Sequence, residues 1–152
     1  MPILTKLIYQ TSGDVLELGM GLYSTPLLHW LCFDQGRRLV SFDSQQQYYD
    51  INKNFQSDLH EVNLIDDWNK ADIVHPWSIA FVDHEPAHRR IEDIKRLAYC
   101  SLYVVVHDTE PRDNKFYRYD KIFPLFKYRF DYTKNEPNTS VFSNYIDLNF
   151  LK

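Results

Sequence analysis

With 152 residues, the chain has room for one domain with a sizeable core and little left for a second. Its 17 Lys plus Arg against 21 Asp plus Glu give a net charge of -4, which excludes a global attraction to nucleic acid. The isolated thiols Cys32 and Cys100 carry no short-spacing motif, so the sequence shows neither a disulfide framework nor a zinc site.

The first predicted strand, 14–18, passes through Val15 and Leu16 into Glu17-Leu18-Gly19-Met20-Gly21-Leu22-Tyr23-Ser24-Thr25, a strand, glycine turn and helix start. Glycines at 19 and 21 permit a sharp turn and close approach to a ligand. Glu17, at the strand end, is expected to face a bound molecule. Ser24 stands where a dinucleotide fingerprint has its third glycine, and no lysine suggests a P-loop. An acidic residue ahead of the first glycine suits a cationic ligand better than a pyrophosphate.

Further along, strands are predicted at 38–43, 60–64, 78–83, 102–107, 128–133 and 140–145, with helices at 24–34, 45–56, 87–99 and 115–126. In the 87–99 segment Ile91, Ile94, Leu97 and Ala98 recur at helical spacing, with Arg90, Glu92, Asp93, Lys95 and Arg96 opposite them. Alternating strands and helices imply βαβ crossovers and a mostly parallel sheet. The last two strands are joined by a short, turn-rich spacer, Lys134 to Thr139, which fits only an antiparallel pair. The expectation is one α/β domain over 1–152: a seven-stranded, mostly parallel sheet ending in an antiparallel hairpin, with helices on both faces. Basic residues from Arg112 to Arg129 interleave with aromatics. That mixture suits a single-stranded nucleic acid groove, but equally a segment that packs one face and solvates the other, and the second reading is preferred. No stretch approaches the roughly 20 apolar residues that span a bilayer, and no signal-peptide pattern opens the chain. A soluble cytoplasmic protein with no membrane partner is expected.

Chemistry-bearing residues gather at the predicted strand ends. Asp43 closes the second strand and can accept both hydroxyls of a ribose; a helix cap is the alternative. Asp66 follows the third strand, where it could accept from an adenine amine with Ile65 or Trp68 covering the ring. Asp83 and His84 end the fourth strand, and His107, Asp108, Thr109 and Glu110 end the fifth. Neighbouring parallel strands lie under about 5 Å apart, so Asp83 and Asp108 can aim into one cleft. Carboxylates and imidazoles there suit Mg²⁺, Mn²⁺ or a transition ion; capping and loop-edge hydrogen bonds are the plain alternative.

Glu17 to Thr25 resembles motif I of the class I S-adenosylmethionine (SAM) methyltransferases, whose acidic strand end and glycine turn hold the methionine part of the cofactor. Ser78 to His84, the helix at 87–99 and Tyr103 to Thr109 are similar to the matching stretch of small-molecule O-methyltransferases related to the catechol and caffeoyl-CoA enzymes. The resemblance spans about residues 13 to 110. It implies Glu17, Gly19, Gly21, Asp43, Asp66 and Asp83 as the cofactor side, Asp83 and Asp108 as divalent-metal aspartates, and His84 as a histidine packed on the adenosine. Two departures stand out. Pro86 occupies the place of the catechol type's lysine base, and only about a dozen residues precede the first strand, where that type has lid helices. His84, His88 or His107 is then the expected base, since an imidazole suits general-base work near neutrality. A metal-free route is preferred over a Mg²⁺ or Mn²⁺ site, with the aspartates, Asp108 among them, orienting an imidazole or the acceptor hydroxyl. Asp83-His84-Glu85-Pro86 lacks the Pro-Pro-aromatic strand end of amino-methyltransferases. Methyl transfer from SAM to an oxygen of a small-molecule or sugar-like acceptor is the expected function, with a second copy or another partner supplying the lid. The rivals are a SAM-binding module without transfer activity and a nicotinamide-dependent oxidoreductase.

Overall fold

Runs of β-branched and apolar residues too short for helices become the strands of a single sheet, in a computed structural model that describes residues 2–152. They are β1 (Val15–Leu18), β2 (Leu39–Asp43), β3 (His60–Leu64), β4 (Trp77–Val82), β5 (Ser101–His107), β6 (Tyr128–Tyr132) and β7 (Thr139–Ser143), in the order β3-β2-β1-β4-β5-β7-β6. The first five run parallel, and β7 lies antiparallel between β5 and β6. The expected sheet and terminal hairpin are therefore present.

Side-chain alternation divides the core in two. Val15, Leu39, Ile79 and Val105 face α1 (Pro2–Gln10) and α2 (Ser24–Asp34), meeting Leu4, Leu7, Ile8 and Leu28. Leu16, Leu18, Val40, Val82 and Val104 face the other way, onto Ile91, Ile94 and Leu97 of α4 (Arg90–Leu97) and onto Trp68 and Ile122. Each such aliphatic side chain contributes about 1.5 to 3 kcal/mol by leaving water. A shorter helix, α3 (Gln46–Asn52), follows β2.

Two expectations need correction. Residues ahead of β1 form a helix that the sequence reading missed, although Ile3, Leu4, Leu7 and Ile8 share one helical face and Pro2 suits a helix start. The helix expected at 115–126 is broken into α5 (Asn114–Tyr117) and two single turns at 119–121 and 123–125. Arg118 stops α5 with a left-handed φ of 57°, and Pro124 cannot continue a helix. That break turns Tyr119 and Ile122 into the core.

The register sets the site. Leu18 pairs with both Phe42 and Val82, and Val82 pairs with Val106. One residue further, Gly19, Asp43, Asp83 and His107 form a row along the carboxyl edge of the sheet. The strand order reverses between β1 and β4, which is where open α/β sheets form their ligand crevice.

Candidate active site

A cleft of 340 Å³ opens at that reversal, walled by Met20 to Tyr23 on one side, Asp43, Gln45 and Tyr48 on another, and Asp83 to Glu85 behind. Gly19 has a φ of +95°, and a Cβ there would lie 2.5 Å from the Asp83 carbonyl carbon and the His84 nitrogen. Its glycine requirement thus comes from the tip of β4. Gly21 does line the cleft, and its N–H donates to Thr25 Oγ1 at 3.0 Å.

Asp43 lines the cleft and braces the backbone around it, although Gln45 and not Asp43 is the N-cap of α3. Oδ2 accepts from Met20 N and Oδ1 from Gln45 N, each at 2.7 Å. The carboxylate ties the glycine turn to the start of α3 and still lines the cleft. Burial raises its pKa, against backbone N–H groups that lower it. A carboxylate offers about four lone-pair sites; the Met20, Gln45 and Ser44 N–H groups take up three, so about one remains for a ligand hydroxyl.

Glu17 does not face the cleft, which corrects the expectation. It is fully buried under α2, where Ser41 Oγ donates to Oε2 at 2.7 Å and Thr25 Oγ1 donates to Oε1 at 3.1 Å. Burial pushes its carboxyl up to about 7, with the Ser41, Ser24 and Thr25 hydroxyls pulling the other way. Through Thr25 it braces the turn from below. Asp66 is exposed and paired with Lys70 at 2.8 Å, beside a separate shallow hollow that includes Ile65 and Gln46. Trp68 is buried, donating its indole N–H to Glu85 O at 2.9 Å, and cannot cover a ligand ring.

Asp83 and Asp108 do converge, but on a guanidinium. Arg90 Nη2 lies 3.0 Å from Asp83 Oδ1, and Nη1 lies 3.3 Å from Asp108 Oδ2. Arg90 also donates to the carbonyls of His84 (2.7 Å), Asp83 (3.0 Å) and His107 (3.2 Å), and stacks 4.7 Å from the Tyr117 ring. Asp108 takes a left-handed φ of 56° and accepts from Tyr117 Oη at 3.1 Å. Among the described residues no group of three His, Cys, Asp or Glu side chains is placed to hold a metal ion. The Mg²⁺ or Mn²⁺ site that the resemblance implied at Asp83 and Asp108 does not fit this geometry, because a cation from the chain already sits between them.

His84 is corrected too. Its side chain has no exposed surface; Nε2 meets Asp93 Oδ2 at 2.9 Å, the ring packs edge-on to Trp68 at 4.1 Å, and Nδ1 has no partner. Asp93 is itself held by Arg89 and Arg96. This cluster locks α4 to the loop before β4, so His84 neither packs on a ligand nor reaches an acceptor. His107 differs: it is partly open, its Nδ1 lies 3.1 Å from Thr139 Oγ1, and burial lowers its pKa. It lines a second cavity, of 270 Å³, between the first turn of α1, Phe81, Tyr132 and the β6–β7 turn. Tyr23 borders both spaces.

Structural comparison decides the architecture. Cofactor-bound Rv0187 from MTB superposes with a TM-score of 0.70 at 15% identity, covering 95% of this chain and 79% of that one. The O-methyltransferase from Bacillus cereus in complex with SAH gives 0.67 at 15% identity over 94% and 81%. Human methyltransferase-like protein 13 in complex with SAH gives 0.66 at 13% identity over 95% and 77%. This chain has the class I methyltransferase fold. No family model and no curated protein matches its sequence.

Against that methyltransferase fold, the sequence reading found the strand ends but missed Arg90 and Asp93. Both were assigned to the solvated side of α4; in the structure they are 2% and 0% exposed. Two signals were available: two carboxylates aimed at a common point need a cation, and Arg90 shares a helical face with Ile94 and Leu97. The basic and aromatic cluster packs one side and solvates the other: its six basic residues are exposed, while Tyr119 is buried and Phe123, half-buried, stacks on Phe142 at 5.9 Å with the Arg129 guanidinium 3.6 Å from its ring centre.

Proposed function

We propose that this protein is a SAM-dependent methyltransferase acting on an oxygen of a small-molecule or sugar-like acceptor. The observation that carries the reading is the pair of adjoining spaces sharing Tyr23. One is a cleft at the strand-order reversal edged by the glycine turn and Asp43; the other is a small, mostly apolar cavity with a histidine in its wall. The solved SAH complexes of the same fold support SAM as the ligand of the first space.

When bound, SAM supplies a methyl group activated by its sulfonium. The backbone of Gly21 to Tyr23 and the Asp43 carboxylate hold the cofactor's polar groups, which fixes its orientation before any bond changes. His107 serves as the base. The reading requires the tautomer that donates Nδ1–H to Thr139 Oγ1, which puts the lone pair on Nε2, and an imidazole of lowered pKa is neutral at physiological pH. An acceptor hydroxyl in this cavity would give its proton to that nitrogen, leaving its oxygen free to take up the methyl that bound SAM would supply. The apolar walls from Ile3, Leu4 and Phe81 exclude competing water.

A second reading, a SAM-binding module without transfer activity, draws on one observation: Arg90 engages both acceptor-side aspartates, leaving His107 as the candidate base. Radiolabelled methyl transfer from SAM to a panel of hydroxylated small molecules, run beside SAH calorimetry, separates the two. Transfer confirms the enzyme, SAH binding without transfer selects the module, and absence of both overturns the cofactor assignment.

A further inference from the structure

The Asp83 and Asp108 carboxylates are arranged as if for a divalent ion, at the ends of adjacent strands and partly open to solvent. Two negative groups so placed repel, and one must take up a proton or a cation must intervene. Here the cation is covalently part of the chain. Arg90 begins α4, and its side chain runs beneath the ends of β4 and β5, where only 2% of it is exposed. Every nitrogen of the guanidinium is engaged: Nε by His84 O, Nη1 by His107 O, Asp108 Oδ2 and Tyr119 Oη, and Nη2 by Asp83 O and Oδ1. The planar fork matches this fan of oxygens as a point charge could not, and Tyr117, itself stacked on Tyr119 with an interplanar angle of 3°, closes one face.

We propose that Arg90 is the permanent substitute for a divalent cation in this protein. Its guanidinium holds Asp83 and Asp108 at one point, sets the ends of β4 and β5 beside the acceptor cavity, and makes the site independent of metal. Arg90 is a positioning residue: it touches the two carboxylates and the His107 carbonyl, and acts on the acceptor through them. The inference deepens the methyltransferase reading, but its central measurement needs no methyl transfer, so the two can fail separately.

The geometry makes an unusual demand on the Arg90→Ala variant. With the guanidinium gone, two carboxylates and up to three carbonyl oxygens surround a space of cation size, and breaking a buried pair leaves uncompensated charge that a hard cation can restore. Wild-type protein titrated with Mn²⁺ and followed by electron paramagnetic resonance should leave the free-ion signal unchanged. Arg90→Ala should lose thermal stability and bind Mn²⁺ at least about tenfold more tightly than wild type, with added Mn²⁺ or methylguanidinium raising its melting temperature. Adding Asp108→Asn should abolish that gain, which a purely structural loss would not do. Arg90→Gln keeps most of the side-chain volume and can still donate to a carbonyl, so it serves if the alanine variant does not fold; it too should gain Mn²⁺ affinity. Wild-type Mn²⁺ binding that disappears in Asp83→Asn would overturn the proposal. So would a folded Arg90→Ala or Arg90→Gln protein that responds to neither cation.

Discussion

Gly19 and Asp83 meet backbone to backbone. A Cβ on Gly19 would lie 2.5 Å from the Asp83 carbonyl carbon, while Asp83 N donates to Leu18 O at 2.7 Å. The turn that edges the cleft is thereby clamped to the tip of β4, where Asp83 lines the same cleft.

Replacing Gly19 with alanine should therefore be severe. The left-handed backbone costs an L-residue about 1 to 2 kcal/mol, and overpacking against fixed backbone adds about 1 to 3 kcal/mol. Gly36 is the control: it also has a positive φ, +62°, but nothing lies within 4 Å of a Cβ there. Urea melts should show Gly19→Ala losing at least twice the stability lost by Gly36→Ala. Equal losses would mean that the β4 contact relaxes freely.

Asp43 should lose two functions when substituted. Asp43→Ala removes acceptors from Met20 N and Gln45 N, and buried donors left unmet cost about 1 to 3 kcal/mol. SAH affinity should fall as well, by more than tenfold, since the same carboxylate edges the cleft. Denaturant melts and calorimetry read the two separately. An unchanged SAH affinity would leave only the bracing of the backbone.

Glu17 predicts a dependence on pH with a definite sign. Its folded carboxyl is raised to about 7 from an ordinary 4.5, so between those values the native state holds a proton that the unfolded chain releases. The contribution to stability is full below the unfolded pKa, declines as pH rises towards 7, and above that the buried charge is a cost. Glu17→Gln removes the titration. Wild type should lose stability relative to Glu17→Gln between pH 5 and 8, by on the order of 3 kcal/mol at most. The partners can adapt, because Ser41 Oγ also meets His60 Nε2 at 2.9 Å and His60 Nδ1 meets His29 Nδ1 at 3.0 Å, a chain whose donors can reverse. A difference that stays flat across that range would show that Glu17 is ionised throughout.

These residues also mark what a sequence can carry. Strand positions, the hairpin and the residues at the strand ends follow from local patterns: β-branched runs, glycine punctuation and the short spacer between β6 and β7; the strand order does not. Even the burial of Glu17 was readable, since period-two alternation puts it on the same face as Val15, which α1 and α2 cover. Arg90 was readable in part as well: it stands four residues before Ile94 and seven before Leu97, on the apolar face of α4, and its charge led it to be set on the solvated side. What it meets there, with the first turn of α4 tucked beneath the ends of β4 and β5, comes only from the tertiary arrangement. His84 was misplaced for a related reason: its neighbour Asp83 faces the cleft, and adjacent residues at a strand end point to opposite sides.

His107 carries the final expectation. If it is the base, His107→Gln should lower kcat by about 10²- to 10⁴-fold while leaving the SAH dissociation constant unchanged, because the residue lines the acceptor cavity and not the cofactor cleft. Its pKa is lowered by burial, with Asp108 pulling it upward and Arg90 downward. Only the neutral ring accepts a proton, so the rate should fall on the acid side through a pKa below the ordinary 6.5 and stay level above it. Thr139→Val frees Nδ1 and should lower the rate by a smaller factor with the same pH profile, since the ring then samples the tautomer that presents N–H to the acceptor. Full activity in His107→Gln, or a rate that rises only above pH 8, would remove His107 from the reaction.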